Sequence, residues 1–149
     1  MLPWADYRDG FGSTTSIFWL GLERLHLLTS SEPYRLRAEM LSRDSGRWYS
    51  MEYWTFRVDN EANKYRLEIS GFSGDEAIVN IDENNGMMFT TIDQDNDLNA
   101  QDNCTITQSG GWWFNDCQPY CLACNFLYHT VGDLLRCNES RMMIKRREI

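Results

Sequence analysis

The chain's 149 residues suit one domain with a sizeable core, and a hydrophobic content of 42% with 13% aromatic residues argues for a globular fold over disorder. A formal net charge of −8 gives no general attraction for phosphate backbones, so nucleic acid is excluded as a partner, and the short basic cluster Lys145, Arg146, Arg147 reads as a solvated chain end. No apolar stretch approaches the roughly 18 residues of a membrane-spanning helix, so no membrane insertion is expected.

The N-terminus, MLPWADYRDGFG, has neither the basic start nor the apolar run of a secretory signal. STTSIFWLGLERLHLLTS opens with cap-type residues and repeats apolar side chains at near-helical spacing, interrupted at Gly21, which predicts one or two short helices. YRLRAEML, RWYSMEYWTFRV and KYRLEISGF then alternate large apolar and charged residues, as antiparallel strands with one wet face do. SRDSG and FSGDE supply turn signals. From Asn84 onward Gly, Asn, Asp, Trp and Cys dominate and periodicity disappears, so a sheet half over about 1–83 is expected to join a loop-built half over about 84–149.

That second half contains DQDNDLNAQDNC, with Asp93, Asp95 and Asp97 at alternate positions. Closely spaced Asp and Asn supply the oxygen ligands that a calcium ion requires. An EF-hand is ruled out, because its sixth position needs glycine where this chain has Leu98 and its twelfth needs glutamate where it has Cys104. Taken by itself the run is either another calcium loop or a solvated acidic turn.

Cys104, Cys117, Cys121, Cys124 and Cys137 crowd into the last third, among two sequons at Asn103 and Asn138. Such crowding suggests an oxidising compartment, whereas the missing signal read literally suggests cytoplasm. Cys121 and Cys124 form a C-x-x-C, open to extra local disulfides or to half a zinc site with Cys137 and His129 nearby; the odd total leaves one thiol free or paired to another chain. His26 and His129 are the two histidines, and no nucleophile and base pair can be assembled, so no enzymatic activity is expected.

WADYRDGFG, FWLGLERLHLLT, YRLRAEM, FRVDNEANKYRLEISGFSGD, NNGMMFTTIDQDND, NC and SGGWWFNDC occur in that order. Together they resemble the fibrinogen-related domain, the C-terminal globular module of fibrinogen, ficolins, tachylectins and angiopoietin-like proteins. The likeness runs from Trp4 to about Cys117, and NESRMMIKR resembles the family's final strand. It implies an α+β fold, with a twisted antiparallel sheet, short helices and a loop-rich subdomain stabilised by calcium and disulfide.

The resemblance also implies site residues. Asp95 and Asp97 would bind one Ca2+ through their carboxylates, with backbone carbonyls from Asn99 and Gln101, while Asp93 supports the loop without ligating. Cys104 would pair with Cys117. In lectin-like members the peptide entering the second cysteine, here Asp116–Cys117, is cis and aims an amide into a pocket for the acetyl group of an N-acetylated sugar. Asp116, Cys117, Gln118 and Trp113 are the corresponding ligand-binding candidates. For Trp112 and Trp113 a packed-core or loop-supporting role stands beside direct ligand contact.

QPYCLACNF departs from the pattern of the sugar-binding members. Gln118 stands where they carry histidine, Cys121 and Ala123 replace two asparagines, Cys124 replaces a glycine, and Tyr128 is the one assignable wall tyrosine. The functional expectation is a secreted, extracellular recognition module of innate immunity that binds acetylated carbohydrate or other cell-surface ligands. The alternative is an angiopoietin-like module that binds a cell-surface protein without sugar. Relative to the family the domain looks N-terminally truncated, which would expose a sheet edge and allow oligomers through the missing region or a free cysteine.

Overall fold

The computed structural model describes residues 1–75, 81–117 and 137–148. Its elements are α1 (Trp4–Asp9), β1 (Phe11–Gly12), β2 (Phe18–Trp19), α2 (Leu22–Ser31), β3 (Tyr34–Ser42), β4 (Trp48–Val58), β5 (Leu67–Gly74), α3 (Cys104–Gln108) and β6 (Cys137–Arg146), with single 3-10 turns at Glu61–Asn63 and Asp82–Asn84. The main sheet is antiparallel in the order β5-β4-β3-β6, and β1 and β2 form a separate hairpin.

Strand alternation explains the sheet. In β3, Leu36, Ala38, Met40 and Ser42 are buried, while Arg37 is exposed and Glu39 half-buried between them. Met142 and Ile144 on β6 lie opposite Ala38 and Leu36 and pack on the same core. In β4 the buried set Met51, Tyr53, Phe56, Val58 skips a step after Tyr53, where the register with β3 shifts between Tyr34 and Leu36. The extra residue keeps both apolar groups on the core side of the irregularity.

Helix α2 places Leu22, Leu25 and Thr29 on one buried stripe against β4. The Thr29 hydroxyl donates to the Leu25 carbonyl at 2.8 Å and accepts from the Val58 amide at 3.0 Å. His26 Nδ1 lies 3.0 Å from the Val58 carbonyl, so this histidine ties helix to sheet. The helix begins only after Gly21, whose φ of 104° favours glycine and where a Cβ would meet the Arg8 carbonyl oxygen at 2.9 Å.

One expectation is corrected here. The front of the segment read as helical, residues 13–20, instead carries β2, because Phe18 and Trp19 favour extended backbone and pair with Gly12 and Phe11 of β1. Residues 4–9 form α1, which the residue pattern did not indicate. From the second half of the sequence, β6 returns to pair with β3 along its length. Gln118, Cys121, Ala123, Cys124, Tyr128, His129 and the pairing of Cys137 lie outside the described residues.

Candidate functional site

The loop half is built on a buried aromatic cluster. Trp4, Tyr7, Trp19, Tyr65, Phe89 and Trp113 contact one another with ring centroids 5.0–6.3 Å apart. Large apolar rings of this kind supply most of the burial available to a segment without strands of its own. From the cluster the chain leaves at Phe89, whose amide donates to the Lys64 carbonyl, and returns at Trp112, which exchanges both backbone hydrogen bonds with Thr90.

Between these anchors the Asp and Asn side chains fold the loop onto its own backbone. Asn96 donates from Nδ2 to the Phe89 carbonyl at 2.8 Å, and its amide donates to Thr90 Oγ1 at 3.1 Å. Asp97 accepts from the amides of Asn99 and Cys104, each at 2.9 Å, spanning the bend with one carboxylate. Asn99 Oδ1 accepts from the amides of Gln101 and Asp102, and its Nδ2 donates to Asp116 Oδ1 at 2.8 Å. Asn103 caps α3 by accepting from the Thr105 amide and donates across to the Thr91 carbonyl. Cys104 and Cys117 are disulfide-bonded with a Cα–Cα distance of 4.8 Å, as the family pattern implies.

Asp93 supports the loop without facing its other carboxylates. It accepts from the Trp4 amide at 2.8 Å and from the Thr91 hydroxyl at 2.7 Å, tying the first turn of α1 to the loop. Desolvation raises its pKa, but these hydrogen bonds outweigh that and hold it below its ordinary value. Asp95 Oδ1 accepts from the Asp97 amide at 3.3 Å, so the two residues are neighbours in one turn. Burial pushes the Asp97 carboxyl up, and the adjacent Asp95 carboxylate adds to the rise against the two amides that favour ionised Asp97.

Two neighbouring carboxylates are oxygen donors of the kind a hard, oxygen-seeking cation would take, and a divalent ion there would offset their repulsion. The carbonyls of Asn99 and Gln101 accept no hydrogen bond among the described residues, whereas the side chain of Asn99 is fully used within the loop.

The recognition residues are redistributed. Trp113 is completely buried, donates from Nε1 to the Tyr65 carbonyl at 2.7 Å and packs edge-on to Phe89 and Trp112. It sits in the core, with its single N–H donor taken by the Tyr65 carbonyl. The Asp116–Cys117 peptide is trans, since no peptide bond is cis among the described residues. The chain turns at Cys117 itself, with φ 48°. Asp116 is exposed, with its carboxylate tied to Asn99. Gln118 lies outside the described residues.

Tyr7 and Asn84 are site-supporting residues that the motifs alone did not single out. The Tyr7 hydroxyl accepts from the Gly111 amide, and Asn84 Nδ2 donates to the Trp113 carbonyl, both at 2.8 Å, so each fixes the segment that leads into the disulfide.

Comparison with known proteins agrees with this architecture. The family model described as the C-terminal globular domain of fibrinogen beta and gamma chains matches residues 1–135. The chain is 35% identical over 149 residues to protein scabrous of Drosophila melanogaster, covering 96% of this chain and 18% of that protein. It is 36% identical over 129 residues to human angiopoietin-1, covering 87% and 25% of the two chains. Thus it spans no more than about a quarter of the length of these relatives. The fibrinogen-like globe domain of human ANGPTL2 superposes with a TM-score of 0.87 at 32% identity, over 97% of this chain and 73% of that one. A lamprey fibrin D-dimer complexed with the peptide Gly-His-Arg-Pro-amide superposes at 0.71 with 31% identity, over 82% and 43% of the respective chains. By sequence, sheet topology and the Cys104–Cys117 loop together, the chain belongs to the family of fibrinogen C-terminal globular domains.

Proposed function

We propose that this domain is a secreted, non-catalytic recognition module whose loop half, held by Ca2+ and the Cys104–Cys117 disulfide, presents a face to acetylated glycans or other cell-surface ligands in innate immunity. What supports the reading is the pair of carboxylates Asp95 and Asp97, at alternate positions of a loop that its own Asp and Asn side chains and the disulfide hold in place. Asp95 and Asp97 would hold the ion with the Asn99 and Gln101 carbonyls. Bound there, Ca2+ supplies charge neutralisation and fixes the loop. The chain's own groups then hold Asp116 and Cys117 in place through Asn99 and the disulfide.

A second reading, recognition of a cell-surface protein without sugar, is favoured by the complete burial of Trp113, one of the four residues expected to meet an acetylated ligand. The lamprey relative named above is itself complexed with a peptide.

Competition on an N-acetylated surface separates the two. N-acetylglucosamine displaces calcium-loaded protein and glucose does not if the acetyl group is recognised, since that group alone adds a methyl for an apolar pocket and a carbonyl for a backbone donor. Absence of displacement by either sugar, with retained binding to cell-surface protein, selects the second reading. A monomer reading one acetyl group binds weakly, because very small ligands gain at best about 1.5 kcal/mol per heavy atom.

A further inference from the structure

We propose that the solvent face of the main sheet around Arg35, Lys145, Arg147 and Trp54 binds a sulfated glycan chain, at a surface that uses none of the residues of the loop half. Three observations converge on it. First, Arg35 on β3 and Lys145 on β6 are directly opposed partners in the register. The neighbouring pairs Leu36 with Ile144 and Ala38 with Met142 face the core, so alternation puts the two cations on the solvent side. Like charges so placed destabilise a strand pair. Neither cation has an ion pair among the described residues. The sheet's carboxylates Glu39, Glu52 and Glu68 are held by Arg37, Arg141 and Arg57, and Glu32 by Arg146.

Second, the Arg147 guanidinium lies over Trp54 with its Cζ 5.2 Å from the ring centroid and has no ion pair among the described residues. Its Nε is buried out of a ligand's reach, so an anionic oxygen would meet its terminal nitrogens. Third, Trp54 is 56% exposed beside that guanidinium.

A bare anion or an acidic peptide would use the cations alone. The exposed part of the Trp54 indole, beside Arg147, adds apolar surface against which a sugar ring can lie while its sulfate groups meet Arg35, Lys145 and Arg147. The combination selects an anionic sugar polymer even in a chain of net charge −8. What looks in the sequence like a solvated basic end is brought by β6 against Arg35 and Trp54.

Dextran sulfate, uncharged dextran and poly-L-glutamate titrated into the whole chain test the proposal. Dextran sulfate is expected to bind with an affinity that falls steeply with salt, uncharged dextran not to bind, and poly-L-glutamate to bind more weakly. Lys145→Glu gives Arg35 a partner, so it should leave the melting temperature equal or higher while weakening dextran sulfate about tenfold. Trp54→Ala should weaken dextran sulfate and leave poly-L-glutamate unchanged. No binding of dextran sulfate, or full affinity in Lys145→Glu, overturns the surface; equal binding of poly-L-glutamate with no effect of Trp54→Ala overturns the glycan in favour of an acidic peptide.

Discussion

The Tyr7 hydroxyl accepts a 2.8 Å hydrogen bond from the Gly111 amide, joining α1 to the segment before the disulfide across 104 positions of sequence. Burial and this bond act oppositely on the Tyr7 hydroxyl; burial is larger and raises its pKa. A Cβ at Gly111 would lie 2.9 Å from Tyr7 ring carbons and from Phe89 Cε1, so the close approach requires glycine.

Tyr7→Phe should therefore leave a buried amide without an acceptor and cost about 1–3 kcal/mol. Gly111→Ala should cost a similar ~1–3 kcal/mol through overpacking against the two rings. Urea unfolding of both variants measures this, and loss confined to the hydrogen bond predicts an unchanged denaturant slope. Wild-type midpoints in both would mean that the junction carries no stability.

Calcium should raise the melting temperature, and Asp95→Asn with Asp97→Asn should abolish the rise, because a ligand selective for the folded state stabilises it by mass action. Differential scanning calorimetry in calcium and in chelator reads the effect. Superimposable curves for the unsubstituted protein would remove Ca2+ from the proposed function and leave the two aspartates as turn residues.

Removing the disulfide by Cys104→Ser with Cys117→Ser should cost about 3 kcal/mol, the chain-entropy value for a loop of this size with a sequence separation of 13. The effect should fall on the loop half, where the bond closes the segment that contains α3. Hydrogen exchange locates it: faster exchange of amides in 96–117 with unchanged exchange in β3 and β4 is expected, and uniform loss across the sheet would contradict local pinning.

Glu39 joins two strands: its carboxylate accepts from Arg37 Nε at 2.7 Å on β3 and from Arg141 Nε at 2.5 Å on β6, while Arg37 also reaches Glu52 on β4. Hydrogen bonds from Arg37 first and Arg141 second hold its pKa below the ordinary 4.5. A lowered folded value means that the stabilisation is fully present above 4.5 and is lost as pH falls through the folded value. With both arginines substantially exposed, the network is worth about 1 kcal/mol or less. Glu39→Gln should lower stability by that amount at pH 7 and converge with the unsubstituted protein in strong acid; a constant difference between the two at every pH would show that the carboxylate charge is not the cause.

Legibility of the fold followed the range of the interactions involved. Residues 34–41 alternate regularly and 47–58 do so on either side of one slip after Tyr53, so β3 and β4 appear in the sequence within a residue or two, because one wet face and one dry face impose a period of two. The same local logic failed at residues 13–20, where cap-type residues before apolar ones suit a helix and also suit a hairpin tip. Only pairing with Phe11 and Gly12 selected the latter. Helix α1 spans six residues, too few to show a period, and stands because Trp4 and Tyr7 enter the aromatic cluster and Asp93 accepts the Trp4 amide.

In the loop half, the sequence by itself determined which residues carry oxygen, where the cysteines fall and, through the ordered motifs, which family they belong to. Tertiary structure decided their division of labour. Asp93 turns to α1 while Asp95 and Asp97 accept amides of the loop itself, and Asn99 spends its side chain on Asp116 rather than standing free. Trp113 goes to the core although it is written beside the exposed Asp116, and Lys145 and Arg147 come to lie beside Arg35 and Trp54. Spacing along a chain constrains only partners within a turn or a strand. Which distant side chain receives a donor or a ring depends on closing long loops around one core, and that balance is struck by the packing of the whole domain.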